Sequence, residues 1–209
     1  MTDTSTYAAA PRRTKRYTYT ELYEALARGH RSVGAFSRQR LGSRRKQILD
    51  PQFVERLMLA VTEVNQCAAC AYAHTRLALR KGMAPEEVPA FIGGDPGFIR
   101  EDEAMAIVFA QHYAHAKGKV DRLAYGPVPD TYGPEKTRAI VAALQMMMTG
   151  NILGLPVSAL LARLKGRSQP GSTVLYEVTL PLSALVLLIP SLVQSLLDQL
   201  RHEGQLTLM

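Results

Sequence analysis

Between Asp50-Pro51 and Gly82 the chain carries two consecutive helical patterns separated only by Val64-Asn65-Gln66, and that pairing dictates an antiparallel helix hairpin. Asp at an N-cap followed by Pro at the first helical position is a helix start, because Asp accepts the orphan N–H groups and Pro lacks one. Phe53, Leu57, Met58, Ala60 and Val61 then form an apolar stripe. Asn competes for backbone hydrogen bonds, so Asn65 is expected to end the first helix and start a second that runs through Leu77 and Ala78 to Arg80-Lys81. Gly82 stops it in a left-handed conformation.

The rest of the chain follows the same period. Apolar residues recur at helical rather than alternating spacing throughout, so the 209-residue chain reads as all-α and as a single domain, with a basic arm and short helix over 1–46, a core over 47–166 and an apolar helical tail over 167–209. Further helices are expected over Thr20–Arg28, ended near Gly29, over Ala84–Ile92, and over Glu101–Lys117. A loop through Tyr125, Pro127, Pro129, Tyr132 and Gly133 is followed by helices over Pro134–Thr149, stopped at Gly150-Asn151, and Pro156–Lys165. Gly93 to Gly97 reads as a turn. Leu180 to Leu197 holds no charge and approaches the length of a membrane span, but Pro181, Pro190 and several polar residues favour a helix pair buried in the core or in a subunit interface.

Charge is uneven, with a net +8 over residues 1–46 (Arg12, Arg13, Lys15, Arg16, Arg28, Arg31, Arg38, Arg40, Arg44, Arg45 and Lys46 carrying it) and −1 over the remainder. Without a recognised nucleic-acid motif or stacking platform, this reads as a solvated face, and no nucleic-acid partner is expected. No secretory leader is apparent, so a reducing cytoplasm is expected.

The second helix of the hairpin carries the chemistry. Cys67 and Cys70, the only two cysteines, are spaced i and i+3, roughly 5 Å apart on a helix and within reach of a disulfide. They lie in a first helical turn, where the macrodipole favours a thiolate. His74 follows Cys70 by four and shares its face, placed to accept the thiol proton. Folding the first helix back about Val64-Asn65 brings Glu55 level with His74, since both stand equally far from the tip; a carboxylate there would orient the imidazole. Glu63 competes for that role if the helix is unbroken, and the break at Asn65-Gln66 favours Glu55. A zinc site built from Cys67, Cys70 and His74 would need a fourth ligand, for which His112 and His115 are candidates. The Met146-Met147-Met148 run reads as core filling, and Arg76 and Tyr72 as surface or packing residues.

Glu55, eleven residues, then Cys67-x-x-Cys70-x-x-x-His74 resembles the signature of the AhpD alkylhydroperoxidase and carboxymuconolactone decarboxylase family, over about residues 47–165. The resemblance implies an AhpD-like helical fold, a homo-oligomer, and a thiol peroxidase or disulfide reductase with no bound cofactor, the alternative being a non-catalytic oligomeric redox-sensing or binding protein. Its substrate would be a hydroperoxide and its electron donor a protein or small-molecule thiol or dithiol. By the same resemblance Cys70 is the attacking thiolate, Cys67 resolves its sulfenic acid, and His74 and Glu55 relay the proton. Ala69 stands where some members have a second histidine, and the decarboxylase branch lacks the cysteine pair. Membrane contact through the apolar tail is the less favoured alternative to its burial.

Overall fold

The computed structural model describes residues 15–41, 47–93 and 96–201, and among them every regular element is helical. In order these are α1 (Tyr19–Leu41), α2 (Pro51–Asn65), α3 (Ala68–Arg80), α4 (Glu87–Gly93), a 3-10 turn at Pro96–Phe98, α5 (Ala104–His115), α6 (Arg122–Tyr125), α7 (Pro127–Leu164) and α8 (Val174–Leu200). The all-α expectation holds. Residues 1–14, residues 42–46 and the Gly94-Asp95 step lie outside the described residues, and with them much of the basic arm.

Helix α2 is the centre of the fold. The Asp50 carboxylate accepts from the Gln52 and Phe53 backbone N–H groups, with Pro51 at the first helical position. Every residue from Phe53 to Thr62 is buried, which is the pattern of a helix enclosed on all sides. Helices α3, α4, α5 and α7 enclose it, and α1 packs on α7 and α8 outside that layer. Burial on all sides forces partners on the two charged residues at its middle, since an unpaired buried charge costs several kcal/mol. Arg56 therefore grips Glu103 with Nε and Nη2 at 2.5 and 2.7 Å and Glu87 with Nη1 at 3.0 Å. Its neighbour Glu55 points the other way, into the site described below.

Several elements differ from the sequence reading, and in each case long-range packing overrides a local signal. Gly29 does not end α1. It sits against α7, where an added Cβ would stand 3.4 Å from Thr149 Oγ1, while the Thr149 hydroxyl donates to the Ala25 carbonyl at 3.1 Å. The contact with α7 outweighs the roughly 1 kcal/mol propensity cost of a mid-helix glycine. The expected loop from Tyr125 to Gly133 is also helical. A short helical stretch before Gly133 is set off by the non-helical backbone of that residue (φ 73°, ψ 166°), which glycine takes without strain, and the two later helices then run as one to Leu164. Gly150-Asn151 is no stop either, because Asn151 is fully buried and its amide donates to Thr62 Oγ1 at 3.4 Å.

The apolar tail is one helix, not a pair, and runs straight through Pro181 and Pro190. Its inner face docks through an ion pair in which Arg163 donates Nη2 and Nε to the Glu177 carboxylate at 2.7 and 2.8 Å. That fork holds the Glu177 carboxyl below its usual range. Within one chain the tail is not enclosed by the core, since its outer face is exposed, which leaves the subunit-interface half of the expectation open.

Candidate active site

The hairpin tip is built as the sequence implies, with one correction. Asn65 is the last residue of α2 and not the first of α3. Gln66 turns the chain in a left-handed conformation (φ 59°, ψ 36°), with its N–H bonded to the Thr62 carbonyl at 2.8 Å. Cys67 then serves as the N-cap of α3, its Sγ accepting from the Cys70 N–H at 3.3 Å. Asn65 anchors the tip from inside, taking the Tyr17 hydroxyl at 2.7 Å.

Cys67 and Cys70 are joined by a disulfide, with Cα atoms 5.3 Å apart. Cys70 occupies the first turn of α3, where N–H groups without helical partners favour negative charge on its sulfur. The two sulfurs are unequal in access. Cys67 is 1 % exposed and Cys70 9 %, and of the two only Cys70 borders a cavity of about 380 Å³ beside α3. His74 borders the same cavity. Its other walls are Phe36, Met58, Ala73, Leu77, Met146 and Met147, so the space around the sulfur is apolar.

Behind His74 sits Glu55, fully buried. His74 Nδ1 lies 2.7 Å from Glu55 Oε2, and Lys81 Nζ donates to Glu55 Oε1 at 2.7 Å. A carboxylate only accepts hydrogen bonds, so Nδ1 carries the hydrogen and Nε2 is left as the basic nitrogen of the neutral ring. Lys81 compensates the buried carboxylate that would otherwise be costly. It also lines a second, polar cavity of about 650 Å³ with Gln39, Asp50, Gln52 and Arg80. The row Lys81–Glu55–His74 thus joins a polar cavity to the apolar one that holds Cys70.

Glu63 is half-buried in the last turn of α2, its carbonyl accepting from the Gln66 side chain, and it is Glu55 that meets the His74 ring. His112 and His115 are exposed at the end of α5. Among the described residues no group of three or more His, Cys, Asp or Glu is disposed around a metal position. Tyr72 and Arg76 pair with each other on the outside of α3, the guanidinium donating to the phenol at 3.0 Å. Met147 and Met148 are buried, as expected of core filling.

The sequence reading missed what α7 brings. Gly150, Gly154 and Ser158, spaced by four, form one face of α7 against the start of α3. The Gly150 carbonyl is 3.6 Å from Cys70 Sγ, where a reduced thiol would donate its hydrogen. A Cβ on Gly154 would fall 2.6 Å from Cys70 Sγ and 2.8 Å from Cys67 Sγ. Ser158 Oγ accepts from the Ala69 N–H at 3.0 Å and donates to the Gly154 carbonyl at 2.7 Å. The small-x-x-x-small spacing that permits this approach is present in the sequence, although only the fold shows what it faces.

A buried carboxylate behind an imidazole, beside a vicinal cysteine pair on a helix hairpin, is the arrangement the sequence signature implies. Residues 33–108 match the carboxymuconolactone decarboxylase family. The match to this family starts within α1, spans the hairpin with Glu55, Cys67, Cys70 and His74, and ends in α5. The α7 face that closes over the sulfurs, and all of α8, lie beyond the matched family segment. No curated protein and no solved structure matches the chain.

Proposed function

We propose that the protein is a thiol-dependent peroxidase that reduces organic hydroperoxides through the Cys67–Cys70 pair, with His74 and Glu55 as the proton relay. The observation that carries this reading is that Cys70 and His74 open on one apolar cavity while Glu55 is buried behind the ring. In the reduced protein His74 Nε2 takes the Cys70 proton. The thiolate attacks the terminal oxygen of the hydroperoxide, the O–O bond breaks, and the proton passes to the departing alkoxide, giving an alcohol and a Cys70 sulfenic acid. The Cys67 thiol then displaces hydroxide from that sulfenic acid, releasing water and forming the disulfide. A thiol or dithiol donor of the expected reducing cytoplasm returns both cysteines by two exchange steps, itself becoming a disulfide.

Glu55 does not exchange protons with the substrate in this scheme; it fixes the ring and its tautomer, and Lys81 balances its charge. The carboxymuconolactone decarboxylase reaction is not proposed, because the family branch that performs it lacks the cysteine pair.

The apolar cavity walls support an organic hydroperoxide as the substrate class. Each buried CH₂ contributes about 0.8 kcal/mol, so an aryl or alkyl group seated among Phe36, Leu77 and the methionines is expected to raise kcat/KM by about 10- to 100-fold over hydrogen peroxide. A dithiothreitol-coupled assay of the purified protein with cumene hydroperoxide and with hydrogen peroxide measures this directly. Consumption of cumene hydroperoxide that is absent, or that persists without the dithiol, would refute the proposed activity.

A further inference from the structure

Helix α8 has its polarity turned inward. The side against α1 and α7 buries Glu177, Ser191 and Ser195 beside Leu180 and Ala184, with Glu177 held by Arg163 and Asp198 by Arg31. The opposite side presents Leu175, Val178, Leu182, Leu185, Ile189, Leu192 and Leu196, with 37 to 73 % of each exposed. Their spacing along the chain is 3, 4, 3, 4, 3, 4. That is the heptad seam by which one helix meshes with another, and it is unbroken along the helix.

The extent of the surface argues that it is covered. Thirteen aliphatic side chains along α8 stand exposed, on the order of 1,000 Å² of apolar area. A monomer's largest patch is about 300–600 Å² and a stable interface takes about 800 Å² from each partner. Three occupants compete. A bilayer has no use for a 3-4 repeat, since acyl chains accept any aliphatic arrangement. A helix lying in a lipid interface carries Lys and Arg on its polar face, whereas α8 has two acids and no base, both acids committed inward to arginines. The N-terminal residues 1–14 contain no Leu, Ile or Val with which to fill the seam. A second helix with the same repeat fits best, and another copy of this chain supplies one.

We propose that α8 is a self-association surface, packing against the α8 of a second copy through the Leu175–Leu196 seam about a two-fold axis. The interface is isologous, so residues near the middle of the seam meet their own counterparts or the adjacent heptad position. It lies outside the segment that matches the family and does not depend on the peroxidase reading.

Sedimentation analysis of the full chain tests this. The wild type is expected at an even multiple of its 23.0 kDa mass, and Leu185→Glu with Ile189→Glu is expected to halve that mass while the far-ultraviolet circular dichroism stays helical. Should the double variant misfold, Leu185→Cys in a Cys67→Ser, Cys70→Ser background replaces it, and mild oxidation is expected to give a covalent dimer. The proposal is overturned by a wild type of single or odd-multiple mass, by a folded double variant of unchanged mass, or by a Leu185→Cys protein that stays monomeric on oxidation. A monomer that floats with phosphatidylcholine–phosphatidylglycerol vesicles would assign the surface to lipid instead.

Discussion

Glu55→Gln is expected to slow the reaction of the reduced protein with cumene hydroperoxide by up to about 10²- to 10⁴-fold, the range contributed by proton transfer through His74, the group that Glu55 orients. The substitution keeps the shape of the side chain and removes its charge. Glu55 is fully buried and both its oxygens are engaged, one by His74 Nδ1 and one by Lys81, each at 2.7 Å. An amide has one accepting oxygen for these two donors, and its NH₂ turns a donor toward the other. His74 then loses the charged partner and the bond that fixes its tautomer and holds Nε2 free to take the thiol proton, so the Cys70 thiolate is favoured less. The thiol titration of Cys70 should move upward together with the fall in rate. Glu63→Gln, at the position that competes with Glu55 in the sequence, should leave both quantities unchanged. A Glu55→Gln rate within about threefold of wild type, or a comparable loss in Glu63→Gln, would remove the relay from the mechanism.

Gly154→Ala should act on the disulfide itself. A methyl group at this position would stand 2.6 and 2.8 Å from the two sulfurs, closer than any unstrained contact. In the oxidised protein neither sulfur can rotate away, because each is tied to the other; in the dithiol form the Cys70 side chain is free to change rotamer. The clash therefore falls mainly on the oxidised state. Overpacking of this kind costs about 1–3 kcal/mol, which for a two-electron couple corresponds to on the order of 20–65 mV toward the dithiol. Gly150→Ala provides the contrast, since nothing lies within 4 Å of its added Cβ, and the propensity gain of about 1 kcal/mol is then unopposed. Equilibration of both variants against glutathione or dithiothreitol couples gives the potentials. Equal potentials for Gly154→Ala and wild type would contradict the close approach of α7.

The hairpin was legible because its signals are local. Asp50-Pro51 opens α2 through its own side chain and ring, the Asn65-Gln66 step breaks it, and counting outward from the tip identifies Glu55 as the partner of His74 without any knowledge of the remaining helices. What was not legible came from far along the chain. Lys81 read only as a helix end, yet it neutralises Glu55 from 26 residues away. Gly150 read as a stop, although burial of Asn151 against Thr62 keeps α7 helical through it. Gly154 and Ser158 gave no sign of the sulfurs they face, because that contact joins positions more than 80 residues apart. The tail was legible only in part, since its composition indicates burial in the core or in a subunit interface and the fold of one chain leaves its most apolar face uncovered.

In the proposed cycle Cys70 meets the hydroperoxide and Cys67 resolves the product, and sulfenic acid trapping separates these two roles. Reduced Cys67→Ser and Cys70→Ser proteins are each mixed with one equivalent of cumene hydroperoxide in the presence of dimedone, and the adducts are located by peptide mass spectrometry. An adduct is expected on Cys70 in the Cys67→Ser protein and none on Cys67 in the Cys70→Ser protein. An adduct on Cys67 formed at a similar rate, or no adduct on either, would contradict it.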